Sequence, residues 1–305
     1  MTESRPSRVF VVGSLNADHR VHVKRLPAAG ETVLATGAAI TAGGKGANQA
    51  VAAARAGAPT TIIGTVGDDV DGRLLQRALA EQDIDARRVR LVPDVATGRA
   101  LITVDGEGEN TIVVVAGAND CLNDTDIDEG LSAIGSGDLL LLQLETPEFL
   151  VRHAARVAAH AGATVIMNPT PAPEDASSLF DDVDILVVNE HELDHLGDDI
   201  TSLARQSNCT VICTLGADGV DVTRRGGGVE HVAARDVDAV DTTAAGDTFI
   251  GYLAARLTLR PTDLLDAVDV AVMAAGVAVT RQGAIASIPY DHELACSTTL
   301  REERR

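Results

Sequence analysis

The chain reads as an α/β protein built around a parallel sheet, with a small all-β subdomain inserted into it. Three observations predict this. Short apolar runs alternate with segments of helical periodicity along most of the length. Two stretches break that rhythm, one extended and poor in helix signals, the other a pair of strand-like runs around a glycine-rich turn. The 305 residues are 45% hydrophobic and 23% charged, with a mean hydropathy of +0.10, the balance of a globular chain long enough to bury its own core.

In chain order, Arg8 to Gly13 is the first buried strand, an apolar run closed by glycine. Ala17 to Thr41 is the extended stretch. Ala47 to Ala56 is a helix that stops at Gly57, and Thr60 to Gly64 is a second buried strand. Gly72 to Glu81 carries Leu74, Leu75, Ala78 and Leu79 on one helical face. Thr97 to Val104 and Asn110 to Ala116 flank Asp105-Gly106-Glu107-Gly108-Glu109 and read as a hairpin, which with the extended stretch forms the inserted sheet. Asp138 to Gln143 is a strand, Phe149 to Ala161 a helix ending before Gly162, and Thr164 to Asn168, Asp184 to Asn189 and Thr210 to Thr214 are further strands. A last helical pattern runs through Phe249, Ile250, Leu253, Ala254 and Leu257, followed by the helical Val270 to Gly276.

Charge narrows the function. Twenty-five Lys plus Arg against 45 Asp plus Glu leave a net charge of −20, which excludes a protein whose work is to neutralise nucleic-acid phosphates. An anionic ligand must be held by backbone amides, a metal ion or one placed cation. Aromatic residues are 2% and tryptophan is absent, so base-stacking platforms are excluded as well. No apolar run approaches a membrane span of about 18 residues, and Met1 to Arg5 lacks the apolar stretch of a signal peptide, so the expected location is cytoplasmic. Cys121, Cys209, Cys213 and Cys296 have neither disulfide nor zinc spacing and are expected as buried free thiols.

Two segments carry chemistry. Ala42-Gly43-Gly44-Lys45-Gly46-Ala47-Asn48 opens a helix with small residues, which lets a ligand approach the backbone. It is not a nucleotide P-loop, which would need glycine at Ala39 and a hydroxyl at Gly46. Lys45 stands out because the only other lysine is Lys24. In Val240 to Phe249, the small residues Ala244, Ala245 and Gly246 fall across the first turn of a helix, where free N–H groups make an anion pocket, and Asp247 sits in the same turn. Glu145 and Glu192 follow strands, at the ends where ligands gather in open α/β sheets. His191 and His195 share a helix face but lack the context of a zinc helix, so they read as a solvated face.

Gly13-Ser14-Leu15-Asn16-Ala17-Asp18, Ala42 to Ala50, Asn189-x-x-Glu192 and Asp241-Thr-Thr-Ala-Ala-Gly-Asp-Thr-Phe249 together resemble the signatures of the PfkB sugar-kinase family, in family order from about residue 8 to residue 290. Thr97-Gly-x-Ala100, Gly106 to Asn110 and Ala278 to Ala284 with Ser287 and Pro289 tighten the resemblance. It implies a single ribokinase-like domain over 1–305, a three-layer α/β/α sandwich with a small β-sheet lid from about 16–41 and 97–116. It implies ATP-dependent phosphorylation of the 5-hydroxyl of D-ribose, with Mg²⁺ and K⁺ as cofactors. The apolar face of the hairpin, with Leu101 and Ile112 through Val115, is too small to be stable alone and is expected to pack against a second lid, giving a homodimer. Asp247 would be the general base, and the amides of Ala244, Ala245 and Gly246 would hold the phosphoryl charge. Asn16, Asp18, Gly44, Lys45, Asn48 and Glu145 would bind the sugar, with Asn16/Asp18 and Asn48/Glu145 as polar pairs suited to a small polyol. Asn189, Glu192, Thr214, Gly216 and Gly219 would line the ATP and Mg²⁺ side. Asp241, Thr243, Ala278, Arg281, Gly283 and Ser287 would hold K⁺, mostly through backbone oxygens. Val272 stands where a polar residue beside the adenine is often found, which implies apolar adenine contacts. The alternatives are a kinase for another sugar or a nucleoside, or a non-catalytic sugar sensor. Asn16 to Thr41 contains no aromatic shelf for a base, which favours a free sugar.

Overall fold

A computed structural model of the chain describes residues 5–173, 175–176, 178–197, 199–259 and 264–294. The first half runs β1 (Val9–Val12), β2 (Asn16–His22), β3 (Gly37–Gly43), α1 (Lys45–Arg55), β4 (Thr60–Gly67), α2 (Val70–Ala80), β5 (Asp85–Val92), β6 (Gly98–Val104), β7 (Asn110–Val115) and α3 (Asp124–Gly130). The second half runs β8 (Leu139–Gln143), α4 (Glu148–His160), β9 (Thr164–Asn168), β10 (Ile185–Asn189), α5 (Glu190–Leu196), α6 (Ile200–Ser207), β11 (Thr210–Thr214), β12 (Val220–Thr223), β13 (Val229–Val232), α7 (Ala245–Leu259) and α8 (Leu264–Ala278).

The large sheet has the strand order β13-β12-β11-β10-β9-β8-β1-β4-β5. Side chains alternate between its faces, so Val9 and Val11 enter one core with α1, α2, α7 and α8, while Phe10 and Val12 enter the other with α3, α4 and α6. That gives three layers. The sheet is mixed, which corrects the wholly parallel expectation: β12 pairs antiparallel with β11 and with β13. Polar residues interrupt both strands, Asp221 in β12 and Glu230 and His231 in β13, so neither forms the continuous apolar run of the buried strands. Cys209 and Cys213 are buried free thiols and Cys121 is half-buried, whereas Cys296 lies outside the described residues.

The small sheet has the order β3-β2-β6-β7. Asp105 shapes its β6–β7 turn by accepting the Glu107 N–H (2.9 Å) and the Glu109 N–H (3.0 Å). Ionic contacts fasten the sheet to the main body. Arg99 Nε donates to Asp71 of α2 at 2.7 Å, and Arg20 Nη1 donates to Asp241 at 3.0 Å.

Candidate active site

Strands β1, β8, β9, β10 and β11 are parallel, so their carboxyl ends open on one side of the large sheet, where ligands bind in such folds. A cavity of about 230 Å³ lies there. Its walls are Lys45, then Asn168, Thr170, Val187, Val188, Asn189, Glu192 and Thr214 from the strand ends, then Thr242, Ala244, Ala245, Gly246, Asp247 and Ile250 around the start of α7.

The entry into α7 is a tight turn. Asp241 accepts the N–H (2.9 Å) and hydroxyl (2.5 Å) of Thr243, and Ala244 then adopts a left-handed φ of 60°. Its carbonyl takes the Thr248 N–H at 2.8 Å. This corrects two expectations. Ala244 precedes the helix instead of lying in its first turn, and the reversal at Ala244 turns the Ala245 N–H onto Thr242 O (3.2 Å), so that amide is occupied. Among the described residues the N–H groups of Gly246 and Asp247 make no hydrogen bond. They are the unpaired donors at this end of α7, the kind of group that can hold an anion.

Asp247 is 8% exposed. Its Oδ2 accepts from Asn48 Nδ2 at 2.9 Å and its Oδ1 from Gln49 Nε2 at 3.0 Å. Asn16 Nδ2 donates to Glu145 at 3.3 Å, and Ser14 Oγ donates to the same carboxylate at 2.6 Å. The polar pairs are therefore Asn16 with Glu145 and Asn48 with Asp247, not Asn16 with Asp18 and Asn48 with Glu145. Asn48 Oδ1 is buried without a partner. Gly44 caps α1, its carbonyl accepting the Asn48 N–H at 2.9 Å.

The electrostatics are set by burial among carboxylates. Burial pushes the Asp18 carboxyl up to about 7, with Glu145 and Asp247 adding to the rise and the Arg20 guanidinium opposing it. Burial works against the charge of Lys45, but the carboxylates of Asp247, Glu145 and Glu192 outweigh it and hold the ammonium above its ordinary value. Lys45 is thus a retained cation among the carboxylates of Asp247, Glu145 and Glu192.

On the other wall, Asn189 and Glu192 form a reciprocal capping box on α5: Asn189 Oδ1 accepts the Glu192 N–H and Glu192 Oε2 accepts the Asn189 N–H, each at 2.9 Å. Glu192 also accepts from Thr170 and Asn168. Thr214 lines the cavity, whereas Gly216 and Gly219 sit in the turn after β11, outside the cavity wall. Val272 is buried in the core on α8. His191 and His195 are exposed on α5.

Asp241 joins three segments. Burial works to raise its carboxyl, but hydrogen bonds from the Thr243 hydroxyl, the Gly283 N–H, the Thr243 N–H and Arg20 outweigh it and hold the group at about 2. Val279 O accepts the Asp241 N–H at 3.1 Å, which brings the segment after α8 alongside. Ala278 O is taken by the Arg281 N–H (3.0 Å), and Ser287 Oγ donates to Ala284 O (2.8 Å). The carbonyls of Thr243, Arg281 and Gly283 accept no hydrogen bond among the described residues. No cluster of three or more His, Cys, Asp or Glu suited to a metal occurs among the described residues.

Several contributors have no role assigned from the sequence. Ser14 and Gln49 stand inside the quoted motifs without a function of their own, and Arg20, Asn119 and Gln143 carry no signal, yet all hydrogen-bond to the acids or amides of the site. Asn168 was findable, because it ends a strand at the same carboxyl edge as Glu145.

Residues 6–291 match the family described as pfkB family carbohydrate kinase. Ribokinase of Haemophilus influenzae is 39% identical over 295 residues, covering 93% of this chain and 95% of the relative. Deoxyribokinase of Salmonella typhi is 34% identical over 293 residues, covering 92% of this chain and 95% of its own. Among solved structures, Arabidopsis thaliana ribokinase complexed with ribose and ATP superposes with a TM-score of 0.83 at 31% identity, covering 95% of this chain and 98% of that one.

Proposed function

The chain belongs to the pfkB family of carbohydrate kinases, and from that premise we propose that it transfers the terminal phosphoryl group of ATP to the 5-hydroxyl of D-ribose. The observation that carries this reading is the setting of Asp247, a buried carboxylate in the first turn of α7, oriented by two amides and facing the cavity beside Lys45. A general base has to stand beside the point where phosphoryl charge develops. Asp247 takes the proton of the sugar hydroxyl as that oxygen bonds to the γ-phosphorus, the bond to the β-bridging oxygen breaks, and ADP leaves. The N–H groups of Gly246 and Asp247 and the Lys45 ammonium meet the charge on the group in transit.

Asn16, Asp18, Gly44, Lys45, Asn48 and Glu145 hold the sugar, and the unpartnered Asn48 Oδ1 is an acceptor for one of its hydroxyls. Asn189, Glu192 and Thr214 face the nucleotide, with Gly216 and Gly219 shaping the turn behind them. The binding of ribose and ATP by the Arabidopsis relative supports this division.

Two cations fit the donor sets. Glu192 is oriented by three donors and turned to the cavity, which suits Mg²⁺ carried in with the phosphates and waters. Mg²⁺ supplies charge neutralisation on the β- and γ-phosphates when bound. The ionised Asp241, the free carbonyls of Thr243, Arg281 and Gly283, and the oxygens of Ala278 and Ser287 suit K⁺, with Arg20 sharing the Asp241 carboxylate. A cation bound there would hold the turn that precedes Gly246. ATP as donor supports a cytoplasmic location, and no helix among the described residues is long and apolar enough to cross a membrane. The exposed apolar side chains Leu101, Ile112, Val113, Val114 and Val115 of the small sheet support its use as a lid that packs against a second copy.

The likeness to a deoxyribokinase makes 2-deoxy-D-ribose the second candidate acceptor. Measuring ADP release against D-ribose, 2-deoxy-D-ribose, hexoses and nucleosides tests the proposal. The highest kcat/KM is expected with D-ribose, and ADP release indifferent to added sugar overturns the kinase reading.

A further inference from the structure

Asp247 is held from behind by a chain of two buried amides. Gln143 ends β8 and Gln49 lies on α1, both 0% exposed, and neither lines the cavity. Gln143 Nε2 donates to Gln49 Oε1 at 2.6 Å, and Gln49 Nε2 donates to Asp247 Oδ1 at 3.0 Å. A carboxylate only accepts, while an amide has one donor end and one acceptor end, so the direction of the chain is dictated from Asp247 outward. Gln49 must offer its nitrogen to Asp247, and Gln143 must then offer its nitrogen to Gln49.

The fold makes room for this chain at two glycines. A Cβ at Gly13 would collide with Gln143 Oε1, and one at Gly251 would collide with Ala52 and the Gln49 backbone, where α1 and α7 lie against each other. Stability alone does not account for the pair. Burying two amides is unfavourable unless all their polar atoms are satisfied, and Gln143 Oε1 has no partner. Two apolar side chains of the same length would fill the space without that penalty. Orientation does account for it. The torsion that turns a carboxylate about its bond to Cβ is broad, and Asn48 on Oδ2 together with Gln49 on Oδ1 pins it at both ends.

We propose that Gln143 and Gln49 are positioning residues for the phosphoryl transfer, with Gln143 acting through Gln49 to set the plane of the Asp247 carboxylate. The inference rests on Asp247 being the base. The test compares Gln143→Met, Gln49→Met, the double variant and Asp247→Asn, with kcat and sugar KM measured for each and melting curves showing which are folded. Each Gln→Met change is expected to lower kcat by about tenfold to a hundredfold, the range of a misplaced catalytic group, and to leave sugar KM within about twofold. The double variant is expected to lose no more than Gln49→Met, because both changes cut one chain. Gln143→Asn keeps the amide but withdraws it from Gln49 by one methylene, and its kcat is expected to fall likewise. It serves as the test if the Met variants are unfolded. Wild-type kcat in a folded Gln143 variant, or additive losses in the double variant, overturns the proposal while a slow Asp247→Asn leaves the base in place. Wild-type kcat in Asp247→Asn removes the base itself.

Discussion

Replacing Asp18 with asparagine tests how the site is maintained against the stability of the fold. Asp18 is 7% exposed on β2, and burial, reinforced by Glu145 and Asp247 and opposed by Arg20, pushes its carboxyl from 3.8 up to about 7. The folded chain therefore holds the proton more tightly than the unfolded chain does. The stability this contributes is complete below pH 3.8 and is lost as pH rises through about 7. A rise from 3.8 to about 7, at about 1.4 kcal/mol per pH unit, makes the ionised group cost the sugar-free enzyme about 4 kcal/mol at pH 8. Asp18→Asn removes the charge and keeps the shape. At roughly 2 °C per kcal/mol for a chain of this size, the sugar-free variant is expected to melt roughly 8 °C above wild type at pH 8. The gain should shrink steadily on acidification, to under about 1 kcal/mol at pH 4. Scanning fluorimetry over a pH series reads this directly, and sugar KM on the same variant should rise by about tenfold or more because a hydrogen-bonding group for a hydroxyl is weakened. A stability gain that is the same at pH 8 and pH 4, or a variant that is less stable at pH 8, refutes the reasoning.

Three other outcomes follow from the same geometry. Asp247→Asn should retain sugar binding by calorimetry and lose about a hundredfold or more in kcat, as loss of a general base does, and near wild-type kcat would contradict its role. At fixed ionic strength, turnover should be higher in K⁺ than in Na⁺ or tetramethylammonium, since Na⁺ would be too small for the carbonyls of Thr243, Arg281 and Gly283 and the methyl groups of tetramethylammonium would keep it from taking oxygen ligands, and equal turnover in all three salts would exclude the cation site. Light scattering at micromolar concentration should give the mass of two chains, with Val113→Glu on the small sheet converting it to one, and a monomeric wild type would contradict the lid dimer.

What was legible in the sequence was what carries an uninterrupted local pattern. Leu139–Gln143, Ile185–Asn189 and Thr210–Thr214 were visible because strands buried on both faces are continuous apolar runs. The strands β12 and β13 were not, because their Asp221, Glu230 and His231 interrupt any such run. Asp247 was legible because an acid next to small residues at a helix start is a local signal. The roles of Gln49 and Gln143 were not, since one shows only as a member of the Ala42 to Ala50 motif and the other as the end of a strand, and only the approach of β8, α1 and α7 turns them into neighbours. The partner of Asn16 failed to appear for the same reason: Glu145 is 129 residues away along the chain. The Ala245 amide was misassigned because a left-handed alanine is not what its side chain favours, and the turn from Asp241 imposes it.

The most direct test of the central claim is the product itself, read by phosphorus NMR after incubating the enzyme with D-ribose, ATP and Mg²⁺. One new phosphomonoester resonance coupled to the two protons on carbon 5, growing in step with ADP, is the predicted result. A phosphate on any other ribose oxygen, or ATP left intact in the presence of ribose, would contradict it.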